Sequence, residues 1–246
     1  MGKRKQLGAN KKDRLVWPMY ECLPELGTDI IIPVHNQYHL TRNLLEGIYR
    51  YTEEPFHIYL IDNASTDDTV DLHKIYTRNI TVVHNRRNRG WCAGINQGIC
   101  LGRNPNVVFM EATVEVSRGW LSRLSGFLDS HPRIGAVGPL VSNNDGWQNI
   151  DRVREKLVPE IPQFLTEDLH ERNRILEFHF QGAGILVAEV LSLFCVALKR
   201  RAVAAVGPVN AGAPDCSADY CRRLRKAGYV LGLSLDTYVH RHRIEF

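Results

Sequence analysis

Val107-Val108-Phe109-Met110-Glu111-Ala112-Thr113-Val114-Glu115-Val116-Ser117-Arg118-Gly119-Trp120-Leu121 is the stretch on which the fold turns. Four apolar residues in a row read as a strand covered on both faces, as parallel strands of α/β sheets are. The run ends in Glu111 and passes through an acidic turn before Gly119-Trp120-Leu121 opens a helix. Open α/β sheets bind ligands beyond the carboxyl ends of their strands, and a carboxylate there is placed to hold a nucleotide's metal ion. The second acidic position expected in such a turn is occupied by Thr113.

The residues upstream repeat the same unit. Ile30 to Val34 reads as a strand, and Leu40, Leu44, Ile48 and Tyr51 recur at helical spacing. Phe56 to Ile61 is a second strand, ending in Asp62-Asn63-Ala64-Ser65-Thr66-Asp67-Asp68, where Ser65 and Asp68 match a capping box before a helix through Val70, Leu72, Ile75 and Tyr76. A third strand, Ile80 to His84, leads to a helix near Ala93 to Leu101 and then to the strand at Val107 to Met110. Strands alternating with helices predict an α/β, doubly wound, mainly parallel sheet of Rossmann-like type.

The second half is less regular. A helix carries Trp120, Leu121, Leu124, Phe127 and Leu128 on one face, and Ile134 to Val141 reads as a strand. Ser142 to about Gln181 turns polar, predicting loops and one small helix. An apolar run from Gly182 to Leu198, a helix near Asp219 to Ala227 and a last strand, Tyr229 to Leu233, complete the chain. The expected organisation is a basic, flexible leader over 1–27 and one domain over 28–246, in two halves, 28–116 and 117–246.

Composition excludes several classes. The chain has 246 residues, 44% of them hydrophobic and 24% charged, with a net charge of +4, as an ordinary globular protein does. Six cysteines without a C-x-x-C pair indicate neither a zinc knuckle nor a disulfide framework, and fit a reducing cytoplasm. The Gly182 to Leu198 run is shorter than the ~20 residues of a membrane span and contains Glu189. The basic N-terminus lacks the apolar region of a signal peptide.

The candidate site residues fall at strand ends. Asp62 can accept a hydrogen bond from a base N–H, while the turn behind it offers backbone donors to an anion or merely caps a helix. Arg86, Arg87, Asn88 and Arg89 precede Gly90 and the Asn96 helix, a pattern suited to a diphosphate and equally to a solvated basic loop.

The order of these pieces resembles the family 2 glycosyltransferases of the GT-A fold. The matching residues are Ile-Ile-Pro-Val-x-Asn at 31–36, the turn at 62–67, Asn-x-Gly at 88–90 with Asn96, Gly-Trp-Leu at 119–121, Gly135 to Pro139, Asp219-Tyr-Cys-x-Arg, Ala227-Gly-Tyr229 and His240. The resemblance implies an inverting enzyme that moves a sugar from a nucleotide donor, a UDP-sugar first among them, to an acceptor hydroxyl, with a divalent cation (Mn²⁺ or Mg²⁺). It implies that Pro33, His35, Asn36 and Asn63 border the nucleoside and that Asp62 contacts the base. Arg86, Arg87, Asn88 and Gly90 would lie near base and phosphates, Glu111, Thr113 and His240 at the metal, and Trp120 at the acceptor cleft.

Two positions depart from the pattern. Thr113 stands where the metal motif has an aspartate, and Cys216 and Ser217 stand where carboxylates are common in the segment that carries the catalytic base. Asp219 matches directly as the base, with Asp215 as its alternative. Arg86, Arg87, Arg241, Arg243 and the histidines supply positive charge for the departing diphosphate. Two other readings stay open: a relative that binds nucleotide or partner without turnover, and a transferase whose acceptor is a modified nucleic-acid base rather than a polysaccharide or protein.

Overall fold

A computed structural model describes residues 27–142, 146–156, 168–180 and 185–243. The expected leader lies almost wholly outside the described residues. The first strand, β1 (Thr28–Val34), pairs in parallel with β2 (Phe56–Asp62) and with β4 (Asn106–Met110), and β2 pairs in parallel with β3 (Ile80–His84). Ile30, Ile32 and Val34 point to one face and Ile31 to the other, the period of two that a strand imposes. The first face is covered by α1 (Tyr38–Tyr51) and α4 (Trp120–Ser130), which bury Leu44, Leu45, Ile48, Leu121 and Leu124. The second is covered by α3 (Trp91–Leu101), α7 (Arg200–Val206) and α8 (Cys216–Lys226) through Ile95, Ile99, Val203, Tyr220 and Leu224. Helices on both faces make the sheet doubly wound, as its strand pattern predicts.

Beyond β4 the sheet becomes mixed. Its order is β3-β2-β1-β4-β8-β6-β9-β5, with β7 on β9. The strands β8 (Cys195–Lys199) and β6 (Ile134–Val141) are antiparallel to their neighbours here, and β6 then pairs in parallel with β9 (Val230–Arg241). After β4, the chain turns back as β5 (Val114–Val116), which pairs with the far end of β9 and sets Val114 opposite Arg241. That short antiparallel pairing fixes what faces Glu111.

Several elements differ from expectation. The capping box at Ser65 and Asp68 does not form: Asp67 is the cap, its carboxylate accepting from Thr69 N, and the chain then makes only one 3₁₀ turn (Asp68–Asp71) and one turn of α2 (Leu72–Ile75). Ser65 instead accepts from Asn36 N at 2.8 Å, tying two loops together. The polar segment holds two helices, α5 (Ile150–Lys156) and α6 (Leu169–Phe180), rather than one. The apolar run after Gly182 becomes β7 (Ile185–Val187) and β8. The last strand is much longer than Tyr229 to Leu233, because Ser234, Asp236 and Thr237 are buried and bond one another at a bulge opposite Pro139 and Leu140.

Candidate active site

A cleft of about 340 Å³ opens at the carboxyl ends of β1, β2 and β4. It is lined by Pro33, Val34, His35, Gln37, Asn63, Asn88, Gly90, Trp91, Glu111, Ala112, Thr113 and Arg241. Its floor depends on a close approach of α3 to β1: a Cβ on Gly94 would lie 2.7 Å from that of Pro33. Gly90, at φ +80°, turns the chain into α3 in a conformation that side chains resist.

One wall is a braced pair of loops. Asn36 and Gln37 both hold left-handed conformations, at φ 59° and 67°, unusual for residues with a Cβ. They persist because the neighbouring loop overdetermines them: Asn36 Oδ1 accepts from Thr66 N at 2.8 Å, and Tyr38 N donates to Asp67 Oδ2 at 3.0 Å. Asn36 thus braces the wall and does not line the cleft. Asp62 is 2% exposed, accepting from Ser65 N and pairing with His84 Nδ1 at 2.9 Å. Its carboxylate sits behind the loop whose backbone it shapes. Asn63 lines the cleft and donates to Gly90 O, while its Oδ1 accepts from Asn85.

The basic loop is placed differently from expectation. Asn88 accepts from Gly90 N and lines the cleft, whereas Arg86 and Arg87 are exposed and not among its lining residues. Asn96 clamps Val209, donating to its carbonyl and accepting from its N–H, and borders a second hollow with Asp219 and Arg223. Trp120, expected at the acceptor cleft, is fully buried with Nε1 donating to Thr52 Oγ1, and cannot touch an acceptor. Trp91, the first residue of α3, lines the cleft.

At the acidic turn, Arg241 Nη2 donates to Glu111 Oε2 at 2.7 Å, and Thr113 Oγ1 donates to the same oxygen at 3.2 Å. The guanidinium also lies 5.1 Å from the centre of the Phe194 ring. His240 is not brought to Glu111. Being next to Arg241 on a strand, it faces the other way, where its Nδ1 meets Ser142 Oγ and its ring packs against His242. Glu115 pairs with His242. Among the described residues no group of three or more His, Cys, Asp and Glu side chains converges to hold a metal ion. A dication on Glu111 would lie within about 4 Å of the guanidinium, where even two unit charges repel by roughly 4 kcal/mol near a protein surface. The described donors therefore do not fit a divalent cation.

The two acids considered as base also differ. Asp219 is held by Arg222 and by Arg223, whose Nε lies 2.9 Å away. Asp215 is the cap of α8, accepting from Ala218 N at 3.0 Å. The next residue, Cys216, shares a thiol hydrogen bond with Cys92, whose thiol is pushed up to about 11 mainly by burial. Neither Asp215 nor Asp219 is among the cleft's lining residues. Ser217 Oγ accepts from Leu193 N.

The fold, with its cleft at the strand ends, is of the GT-A glycosyltransferase type. The chain belongs to glycosyl transferase family 2, whose model matches residues 29–203. A PGL/p-HBAD biosynthesis glycosyltransferase of Mycobacterium bovis is 28% identical over 106 residues, 42% of this chain and 41% of that protein. The match thus spans about two-fifths of the relative's length. Solved glycosyltransferases share the fold. The mannosyltransferase PcManGT of Pyrobaculum calidifontis, in complex with GDP-Man and Mn²⁺, aligns at TM-score 0.65 and 18% identity over 89% of this chain and 57% of its own. GalNAc-T7 with UDP, GalNAc and Mn²⁺ aligns at 0.66 and 12% over 89% and 44%.

Proposed function

We propose that the protein transfers a glycosyl group from a nucleoside-diphosphate sugar, a UDP-sugar first among candidates, to an acceptor hydroxyl with inversion. The observation that carries the reading is the convergence of Pro33, His35, Asn63, Asn88, Gly90, Glu111 and Arg241 on one cleft at the strand ends. The acceptor oxygen attacks the anomeric carbon, the bond from that carbon to the diphosphate breaks, and a carboxylate takes the acceptor's proton. Asp215 is the better supported base, because Asp219 already serves two arginines. Asp62 shapes the nucleoside wall, where His35 is exposed to meet a base or ribose.

Two of the fold's solved examples carry Mn²⁺; here, among the described residues, such an ion would find Glu111 as the one carboxylate lining the cleft. Free thiols at Cys92, Cys100, Cys195, Cys216 and Cys221 support a cytoplasmic location. Among the described residues no helix is long and apolar enough to cross a membrane. The acceptor, whether polysaccharide, protein or modified nucleic-acid base, is open.

The test is release of nucleoside diphosphate from UDP-glucose, UDP-GlcNAc and GDP-mannose by the wild type, Asp215→Asn and Asp219→Asn. We expect release from one donor, lost on changing Asp215 and retained on changing Asp219. Nucleotide binding without release from any donor favours the second reading, a binding protein without turnover, which the Ser217 and Asp219 bonds support.

A further inference from the structure

Resting on the nucleotide-sugar reading, we infer that Arg241 takes the place of the metal ion: its guanidinium, held by Glu111, is the fixed cation that receives the donor's diphosphate, and the site works without a divalent metal. Three observations on the acidic turn lead there. Thr113 removes the second carboxylate and donates to Glu111 Oε2, so the turn offers one carboxylate oxygen pair instead of two acids. Arg241 Nη2 already occupies that same oxygen at 2.7 Å. The β5–β9 register puts Arg241 opposite Val114 and turns His240 to the other side of the strand, so the late histidine cannot complete a ligand set with Glu111.

What remains is a charge of the right sign at the right place. Arg241 and Glu111 are both partly exposed, at 31% and 28%, and both line the cleft with Asn88 and Gly90, so a ligand can reach the guanidinium. Glu111 on one side and the Phe194 ring below hold its plane. A planar guanidinium offers five N–H donors in a fork that matches phosphate oxygens and stays charged at any working pH. In the transfer, the glycosidic C–O bond breaks with its electron pair going to the diphosphate, and the growing negative charge there is what a fixed cation stabilises. Glu111 is then a positioning residue rather than a metal ligand.

The experiment is calorimetric titration of the full chain with UDP, GDP, CDP and dTDP and their monophosphates, each with Mn²⁺ and again with EDTA. The expected result is one diphosphate bound equally in both, within about twofold. Arg241→Gln should weaken that diphosphate by roughly 10- to 100-fold, the loss of one or two charge-assisted bonds, and the monophosphate much less. Arg241→Lys should restore part of it. Adding Thr113→Asp to Arg241→Gln should make binding Mn²⁺-dependent. Binding by the wild type only with Mn²⁺ would overturn the inference and leave the nucleotide-sugar reading standing, as would full diphosphate affinity in a folded Arg241→Gln. Failure of every nucleotide to bind in either condition would overturn both.

Discussion

Arg200→Met should unfold the protein at a much lower temperature without touching the cleft. Arg200 is 2% exposed, donates to Asp29 and to the carbonyls of Asn104 and Ile99, and so joins β1, α3, the turn between α3 and β4, and α7. Asp29, 1% exposed, has the Asn104 backbone N–H and side-chain amide as its other donors, at 3.0 and 2.8 Å. Removing one member of such a pair leaves the other charge buried and costs about 3–5 kcal/mol. At about 2–4 °C per kcal/mol for a chain of this size, the melting temperature should fall by roughly 6 to 20 °C. Burial pushes the Asp29 carboxyl up from its ordinary 3.8, against the pull of Arg200. With the guanidinium gone only the Asn104 donors and the neighbouring His57 still oppose that upward push, so the carboxyl rises further. A raised folded pKa gives stability that is present below 3.8 and lost as pH rises through the folded value. The variant's deficit should therefore be smallest near pH 4 and largest at neutral pH, and Asp29→Asn added to it should raise the melting temperature again. Asp29 lies about 16 Å along β1 from the cleft end, so nucleotide affinity at low temperature should not change. Differential scanning calorimetry across pH checks this; a loss below about 1 kcal/mol, or one independent of pH, would refute the reasoning.

Asp67→Asn should flatten the acid side of the stability profile: partial burial raises the Asp67 carboxyl, but bonds from Thr69 and Tyr38 outweigh it and hold the group below 3.8. Its contribution is present above 3.8 and lost as pH falls through the folded value, so melting curves of wild type and variant should converge in acid. Trp120→Ala should cost about 3–5 kcal/mol as a buried truncation, with donor turnover per folded molecule unchanged; selective loss of turnover would restore it to the acceptor cleft. Gly94→Ala should cost about 1–3 kcal/mol and also weaken nucleotide binding, since its Cβ would press on Pro33 in the cleft floor; calorimetry unaltered from wild type would show that the floor yields.

The first half of the fold was legible because its periods are clean. Ile30 to Val34 and Val107 to Met110 are buried on both faces, and Leu44 and Ile48 sit on one stripe of α1. The second half hid where polarity is spent inside. Ser234, Asp236 and Thr237 look like a turn, yet they satisfy one another at a bulge within β9. The three residues of β5 are too few to carry a period and exist because β9 is there to pair with. A short helix, α7, begins with Arg200 and Arg201, a polar start that shows no helical period, and Asp29 pairs with the first of them in the interior.

The site divides along the same line. Motif order located the cleft, since the turns after β1, β2 and β4 are fixed by local chain reversal. What motif order could not supply is side-chain direction. His240 and Arg241 are neighbours in sequence, and a motif assigns the histidine to the acidic turn by position. The register of β5 against β9 decides instead, placing Arg241 opposite Val114 and on the Glu111 side, with His240 turned to Ser142. A slip of one residue in that pairing would exchange the two. If Arg241 stands in for the metal, Thr113 and the guanidinium act together at Glu111 Oε2, because a second carboxylate there would favour the dication that a guanidinium repels. Restoring the acid while Arg241 remains should then give no metal site: Thr113→Asp alone should bind Mn²⁺ weakly or not at all, whereas Thr113→Asp with Arg241→Gln should bind it. Equal Mn²⁺ affinity in the single and double variants, read by titration without nucleotide, would show that the guanidinium and the metal do not compete.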